Sequence, residues 1–164
     1  MIWVSIRMLI LRCKLEEHRL VVPISVSRHS FGDGDLHPAP LANPANMAEY
    51  RGIIDTGATR SVVSDKIIRE QNLMRTGHMQ FSSVHRAETH TKYLASLGFW
   101  AERTDSARSL AQTEKTFFLH NQLIEPVNMN DNRNFDAIIG IDILKQYDFS
   151  FDKLQQTLEI QLNS

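Results

Sequence analysis

The stretch Gly52-Ile53-Ile54-Asp55-Thr56-Gly57-Ala58 limits what this chain can become more than any other. Ile53 and Ile54 are β-branched and read as a buried strand. An ionised carboxylate at the end of such a strand is expensive to bury without hydrogen-bond donors. Thr56 offers a hydroxyl beside it. Gly57 has no Cβ, so backbone amides can approach the acid closely. The pattern describes a carboxylate held by its own loop for a purpose other than solubility.

A second stretch has a related build. Phe135-Asp136-Ala137-Ile138-Ile139-Gly140-Ile141-Asp142-Ile143-Leu144 is an apolar run that ends in glycine and leads into a short helical pattern. The order and separation of the two stretches resemble the paired signatures of retropepsin-type aspartic proteases. The resemblance spans residues 19–162. The Gly140-Ile141-Asp142 arrangement looks more like cellular and bacterial members of that family than viral ones. The two apolar-to-loop crossings, at Asp55 and at Gly140, mirror each other as the family's internal pseudo-twofold would have it.

The resemblance implies a mainly β, closed, barrel-like acid-protease fold with one or two short helices and one Asp-Thr-Gly per chain. It makes Asp55 the catalytic residue, with Thr56, Gly57 and Ala58 supporting the loop. Ile138, Ile139, Gly140 and Asp142 form the second signature. No other aspartate is followed by Thr-Gly or Ser-Gly. Peptide hydrolysis by carboxylates needs one acid and one base, so the partner carboxylate has to come from a second copy. The expected assembly is a twofold homodimer, the substrate a polypeptide, and the reaction endopeptidase cleavage. The resemblance implies no cofactor and no metal. Arg60 and Asp142 stand one step beyond the positions where viral members carry an acid and an arginine, and a replacement ion pair between them is the expectation. Val62, Val63, Ile138 and Ile139 are candidates for the substrate pockets, with at least two of the four expected in the core.

Length and charge exclude several other classes. With 164 residues and a net charge of -1, the chain reads as a single domain over 1–164 with no basic field for nucleic acid. Cys13 is the only cysteine, so no intramolecular disulfide can form, and a small core residue is expected there. No run approaches the roughly 18 apolar residues of a membrane helix. The apolar start is interrupted by Arg7 and lacks a small-residue cleavage site. The expectation is a soluble, cytoplasmic protein without a membrane partner.

Along the chain, residues 3–13 and 19–26 read as two strands of a hairpin. Residues 1–18 are an N-terminal strand that would extend an interface. Residues 27–47 are rich in Gly, Pro, Asp and Asn and read as an inserted loop. Residues 48–54 deliver Asp55, and 64–71 read as a short helix capped by Ser64. Residues 78–93 alternate loosely and correspond to the family's flap hairpin, with its tip at Arg86, Ala87 and Glu88 and without the usual glycines. A strand over 93–100, a polar excursion over 101–115, a strand over 116–124 and a turn-like segment over 125–134 follow. Residues 135–140 read as a buried strand and 142–147 as a short helix. The segments 148–151 and 157–162 read as a closing hairpin.

Rival chemistries fit poorly. His85 and His90 flank Glu88, but on a strand these histidines point to opposite faces. Ser61 lacks the strand–turn–helix context of a nucleophile elbow. The alternative to a protease is a retropepsin-fold dimerisation or peptide-binding module with little or no catalysis.

Overall fold

A computed structural model describes residues 8–29, 47–82, 87–104, 114–152, 154 and 157–162. Residues 30–46, most of the expected inserted loop, and Arg86, part of the expected flap tip, lie outside the described residues, as do residues 1–7.

Alternating apolar residues build the first hairpin. Strand β1 (Met8–Glu16) and strand β2 (Arg19–Ser27) are joined by Glu17 and His18, both with positive φ, 47° and 66°. Two consecutive left-handed residues are what a two-residue hairpin turn requires, because their twist matches the strands. Leu11 and Cys13 on β1 and Val22, Ile24 and Val26 on β2 are buried. Burial pushes the Cys13 thiol up to about 12, so it behaves as a small apolar residue.

The strands that follow place the key loop. β3 (Tyr50–Ile54) pairs with β2, and α1 (Asp65–Glu70) follows the short β4 (Val62–Ser64). β3 and β4 are consecutive in sequence but are not neighbours. Between them lies β10 (Ala137–Ile139), parallel to β3 and antiparallel to β4. The chain therefore leaves β3, crosses the end of β10 and returns along β4. Gly52, Ile54, Ala137, Ile139 and Val63 face the core from these three strands. Ile138 and Val62, on the opposite face, are only half-buried.

β5 (Met74–Ser82) and β6 (Ala87–Leu94) form the expected hairpin, in register from Met74↔Leu94 to Ser82↔Ala87 with an irregularity at Arg75/Gly77. Ala87 and Glu88 are exposed at its far end. β6 meets β9 (Val127–Met129) at Lys92↔Val127, and β9 runs parallel to β4. β7 (Ser96–Thr104) pairs with β8 (Glu114–Leu119) and with β1 and β2. The one-turn helix α2 (Ile141–Leu144) leads to β11 (Asp148–Asp152), which pairs with β12 (Thr157–Leu162) in the expected closing hairpin. The strands form one sheet of order β11-β12-β1-β7-β2-β3-β10-β4-β9-β6-β5, with β8 attached to β7. Among the described residues, no pairing joins β11 to β5. No helix among them is long and apolar enough to cross a membrane.

Several sequence expectations are corrected. The 125–134 segment contains β9, whose Val127 is buried against Val62. Asn128 tolerates this position because its side chain accepts from the Thr91 amide at 2.9 Å and donates to Asp65 at 3.5 Å. The polar excursion is shorter than expected, since β7 continues to Thr104 and β8 starts at Glu114. The strand expected over 116–124 stops at Leu119, and Ile124 makes only an isolated bridge to Ala95. The run expected over 93–100 is divided between β6 and β7 at Ala95. The second helix starts at Ile141 rather than Asp142 and ends at Leu144.

Candidate active site

The loop between β3 and β4 is fastened to the end of β10 at each step. The Asp55 amide donates to the Ile139 carbonyl at 3.0 Å. The Ala58 amide donates to the Asp55 carbonyl at 3.2 Å, closing a tight turn. The Ile141 amide donates to the Ala58 carbonyl at 2.8 Å. The two sequence signatures are therefore one structural unit.

Within that unit Asp55 stays accessible. Asp55, Thr56 and Gly57 are exposed, whereas Ile53 and Ile54 behind them are buried. The Gly57 amide donates to Asp55 Oδ1 at 2.8 Å. A Cβ on Gly57 would sit 3.2 Å from that same oxygen, tighter than a comfortable contact. Gly57 thus supplies the close backbone donor expected from the sequence. Ala58 is half-buried where the loop turns toward Gly140. The Asp55 carboxylate is thus held from one side and exposed on the other.

The lock beneath the loop is Ser61, which is 2% exposed. Its hydroxyl donates to Asp142 Oδ1 at 2.7 Å and accepts from the Gly140 amide at 2.9 Å. Its amide donates to Asp142 Oδ2 at 3.1 Å, and its carbonyl accepts from the Val127 amide at 3.1 Å. Asp142 Oδ1 also lies 3.1 Å from the Ile143 amide at the start of α2. An ionised carboxylate with two acceptor oxygens suits these donors. Gly140 is obligatory for another reason. A Cβ there would meet the Ala58 carbonyl oxygen at 2.7 Å and the Arg60 carbonyl carbon and oxygen at 2.9 Å.

The expected Arg60–Asp142 ion pair is not what forms. Ser61, one residue later, points inward where β4 begins and takes both oxygens of Asp142. Sequence reading missed Ser61 as a structural partner. Its one visible signal was a small hydroxyl residue at a loop-to-strand junction, which is common. Val63 and Ile139 are core residues, while Ile138 and Val62 form a half-buried row beside the loop. In the β5–β6 hairpin, His90 Nδ1 donates to the Asn128 carbonyl at 3.0 Å, and its Nε2 lies 3.6 Å from Glu88. His85 is outside the described residues.

Behind the lock is a buried polar pair. His120 is 1% exposed and shares a hydrogen bond with the Tyr147 hydroxyl. Phe99 and Phe118 meet the Tyr147 ring edge-on. Burial lowers the His120 pKa from the usual 6.5, and nearby Asp142 only partly opposes this. Burial raises the Tyr147 hydroxyl.

No protein-family model matches this chain, and no curated protein sequence does. Among solved structures it is similar to a retropepsin-like aspartic protease from Rickettsia conorii, with a TM-score of 0.51 and 12% identity over 94% of this chain and 89% of that one. It is also similar to the retroviral protease-like domain of Ddi1 from Leishmania major, with a TM-score of 0.40 and 15% identity over 88% and 94% of the two chains. The first similarity shows a shared fold.

Two outcomes follow from the lock. Ser61→Ala removes the hydroxyl that the buried Gly140 amide and Asp142 Oδ1 share, so urea unfolding should show a loss of about 2–3 kcal/mol. Combining it with Asp142→Ala should cost less than the sum of the two, with a coupling of about 1–2 kcal/mol. For His120 the unfolded chain takes up a proton that the folded chain resists. Stability should therefore be full above pH 6.5 and fall as the pH drops below it, until the folded histidine itself protonates. His120→Gln should flatten that part of the profile.

Proposed function

From a chain with the fold of retropepsin-like aspartic proteases, we propose an aspartic-type endopeptidase whose catalytic pair is Asp55 from each of two copies. The observation that carries this reading is Asp55 itself: an exposed carboxylate on a rigidly fastened loop, with an amide donor on one side and open space on the other.

Two such carboxylates brought together on a twofold axis cannot both ionise comfortably, so they share one proton. The ionised member takes a proton from water while that water's oxygen attacks the peptide carbonyl carbon. The protonated member gives its proton to the carbonyl oxygen as the π bond opens, so a tetrahedral diol forms and the pair again holds one proton. In the collapse the pair's proton passes to the leaving nitrogen as the C–N bond breaks, and one diol hydroxyl gives its proton back to the pair as the new carboxyl C=O forms. The proton count belongs to the pair rather than to either residue. Thr56, beside Asp55 and equally exposed, would brace one loop against the other across the axis. Gly57 fixes the orientation of Asp55 in each copy.

The half-buried row of Ile138 and Val62 would supply apolar wall beside the axis, and the β5–β6 hairpin would cover an extended peptide from above. The chain's sequence has no glycine between the two strands of that hairpin, where 83–86 reads Ser-Val-His-Arg. This feature favours a second reading, a peptide-binding module of the same fold with little catalysis.

Cleavage of an unfolded polypeptide at mildly acidic pH separates the two. Asp55→Asn should lower the rate at least about a hundredfold, the scale of a lost acid–base group. Pepstatin, which mimics the tetrahedral diol, should block the unmodified protein. Cleavage that survives Asp55→Asn would reject the protease reading, and absence of cleavage by the unmodified dimer would support the module.

A further inference from the structure

Ser61 holds both oxygens of Asp142, so the carboxylate expected for Arg60 is taken. By the parallel register of β4 and β9, the next acid beside Arg60 is Glu125, and Glu125 faces Lys92 at 3.6 Å. Arg12, Arg51, Lys66 and Arg69 each meet a carboxylate, and Arg19 lies over the Phe135 ring. Arg60 is half-buried and makes no such contact among the described residues. Drawing a guanidinium partly out of water costs free energy unless an anion meets it. Its planar fork of N–H donors matches a carboxylate better than any other anion a polypeptide carries.

The place of Arg60 says which carboxylate that is. Ile54 faces the core from β3, so Ile53 and Asp55 fall on the outer face. The Asp55 amide continues the ladder to the Ile139 carbonyl, which carries the alternation through Asp55. Ile53, Ile138 and Val62 stand in one row on that same outer face, across β3, β10 and β4. Ser61 and Val63 turn inward, so Arg60 and Val62 turn outward. The Arg60 carbonyl lies 2.9 Å from where a Gly140 Cβ would stand, which fastens its backbone to the unit that holds Asp55. In register, Asp55 and Arg60 flank Gly140 on either side. Two strand spacings are about 10 Å, the length of about three residues of an extended peptide.

We propose that Arg60 is a specificity-determining residue of the Asp55 site, receiving the carboxylate of an aspartate or glutamate on a bound peptide whose apolar neighbours lie against Ile138 and Val62. This assignment deepens the two-copy protease reading and rests on it for the reaction. The guanidinium donates two parallel hydrogen bonds to the substrate carboxylate, in the pairing that Asp142 does not supply. A twofold axis places one Arg60 on each side of the scissile bond, so the preference for acid falls on both sides of the cut.

Digestion of a mixed pool of unfolded polypeptides at about pH 6, where aspartate and glutamate are ionised, tests this when the products are sequenced by mass spectrometry. The unmodified chain should cut about tenfold more efficiently where an acidic residue stands about two to four positions from the scissile bond than where its amide does. Salt at about 0.5 M should weaken the preference, because it screens a pair at the surface. Arg60→Gln should lose the preference, and Arg60→Glu should turn it toward lysine and arginine. Circular dichroism reports the fold of each variant. If neither folds, the preference of the unmodified chain and its salt dependence decide. Cleavage without an acid preference, or a preference that persists in folded Arg60→Gln, would overturn the assignment while leaving the protease standing. If the unmodified chain cuts nothing, the protease reading fails by itself, and binding decides for Arg60. Short dansyl-labelled apolar peptides carrying glutamate should then bind the unmodified chain about tenfold more tightly than their glutamine counterparts, by fluorescence anisotropy. Equal binding of the two would overturn the assignment.

Discussion

A serine hydroxyl shared between a carboxylate and a backbone amide holds this molecule's chemistry in place. β10 is inserted between β3 and β4, so the chain joining those strands has to pass over the end of β10. A passage this close is feasible because Gly140 has no side chain there. It is fixed because Ser61 reaches from the loop to Asp142 and to the Gly140 amide together. Each partner solves a burial problem for the others. The serine would otherwise be a buried hydroxyl, the aspartate a half-buried charge and the glycine amide an orphan donor. Hydrogen bonds to charged groups contribute about 1.5–3 kcal/mol, more than the ordinary kind, so this group outweighs any single contact of the exposed loop tip.

Rigidity beneath and exposure above are complementary. The loop tip bearing Asp55, Thr56 and Gly57 is open to solvent, while the residues that fasten it are buried or half-buried. The same logic recurs at β11, where the apolar face of the sheet runs out to an uncovered edge. The connection between them is short: Asp142 lies in the single turn of α2, and α2 leads to β11.

The sequence revealed those parts whose cause is local. Alternation marked the β1–β2 and β11–β12 hairpins, and the helix pattern after Ser64 marked α1 with its cap. Two β-branched residues before Asp-Thr-Gly marked β3 and the loop, and the apolar run to Gly140 marked β10. What escaped was set by distant partners. β9 is polar at Asn128 because its neighbours Thr91 and Asp65 satisfy that side chain. Ser61 and Asp142 are 81 positions apart, and no local periodicity marks that pairing. The arginine next to Ser61 has the obvious charge for Asp142, yet strand geometry turns the serine inward instead. Charge complementarity read along a sequence is a poor guide where the backbone decides which side chain faces inward.

The most direct measurement of the shared acid pair mixes the unmodified chain with an equal amount of Asp55→Asn chain, after allowing subunits to exchange, and follows polypeptide cleavage. Random pairing puts about half of the active chains into hybrid dimers that hold only one of the two carboxylates. The rate should therefore fall to about half that of the unmodified chain alone at the same concentration, on the scale of one lost acid–base partner. A rate unchanged by the added variant, in subunits shown to exchange, would mean that one copy carries a complete site.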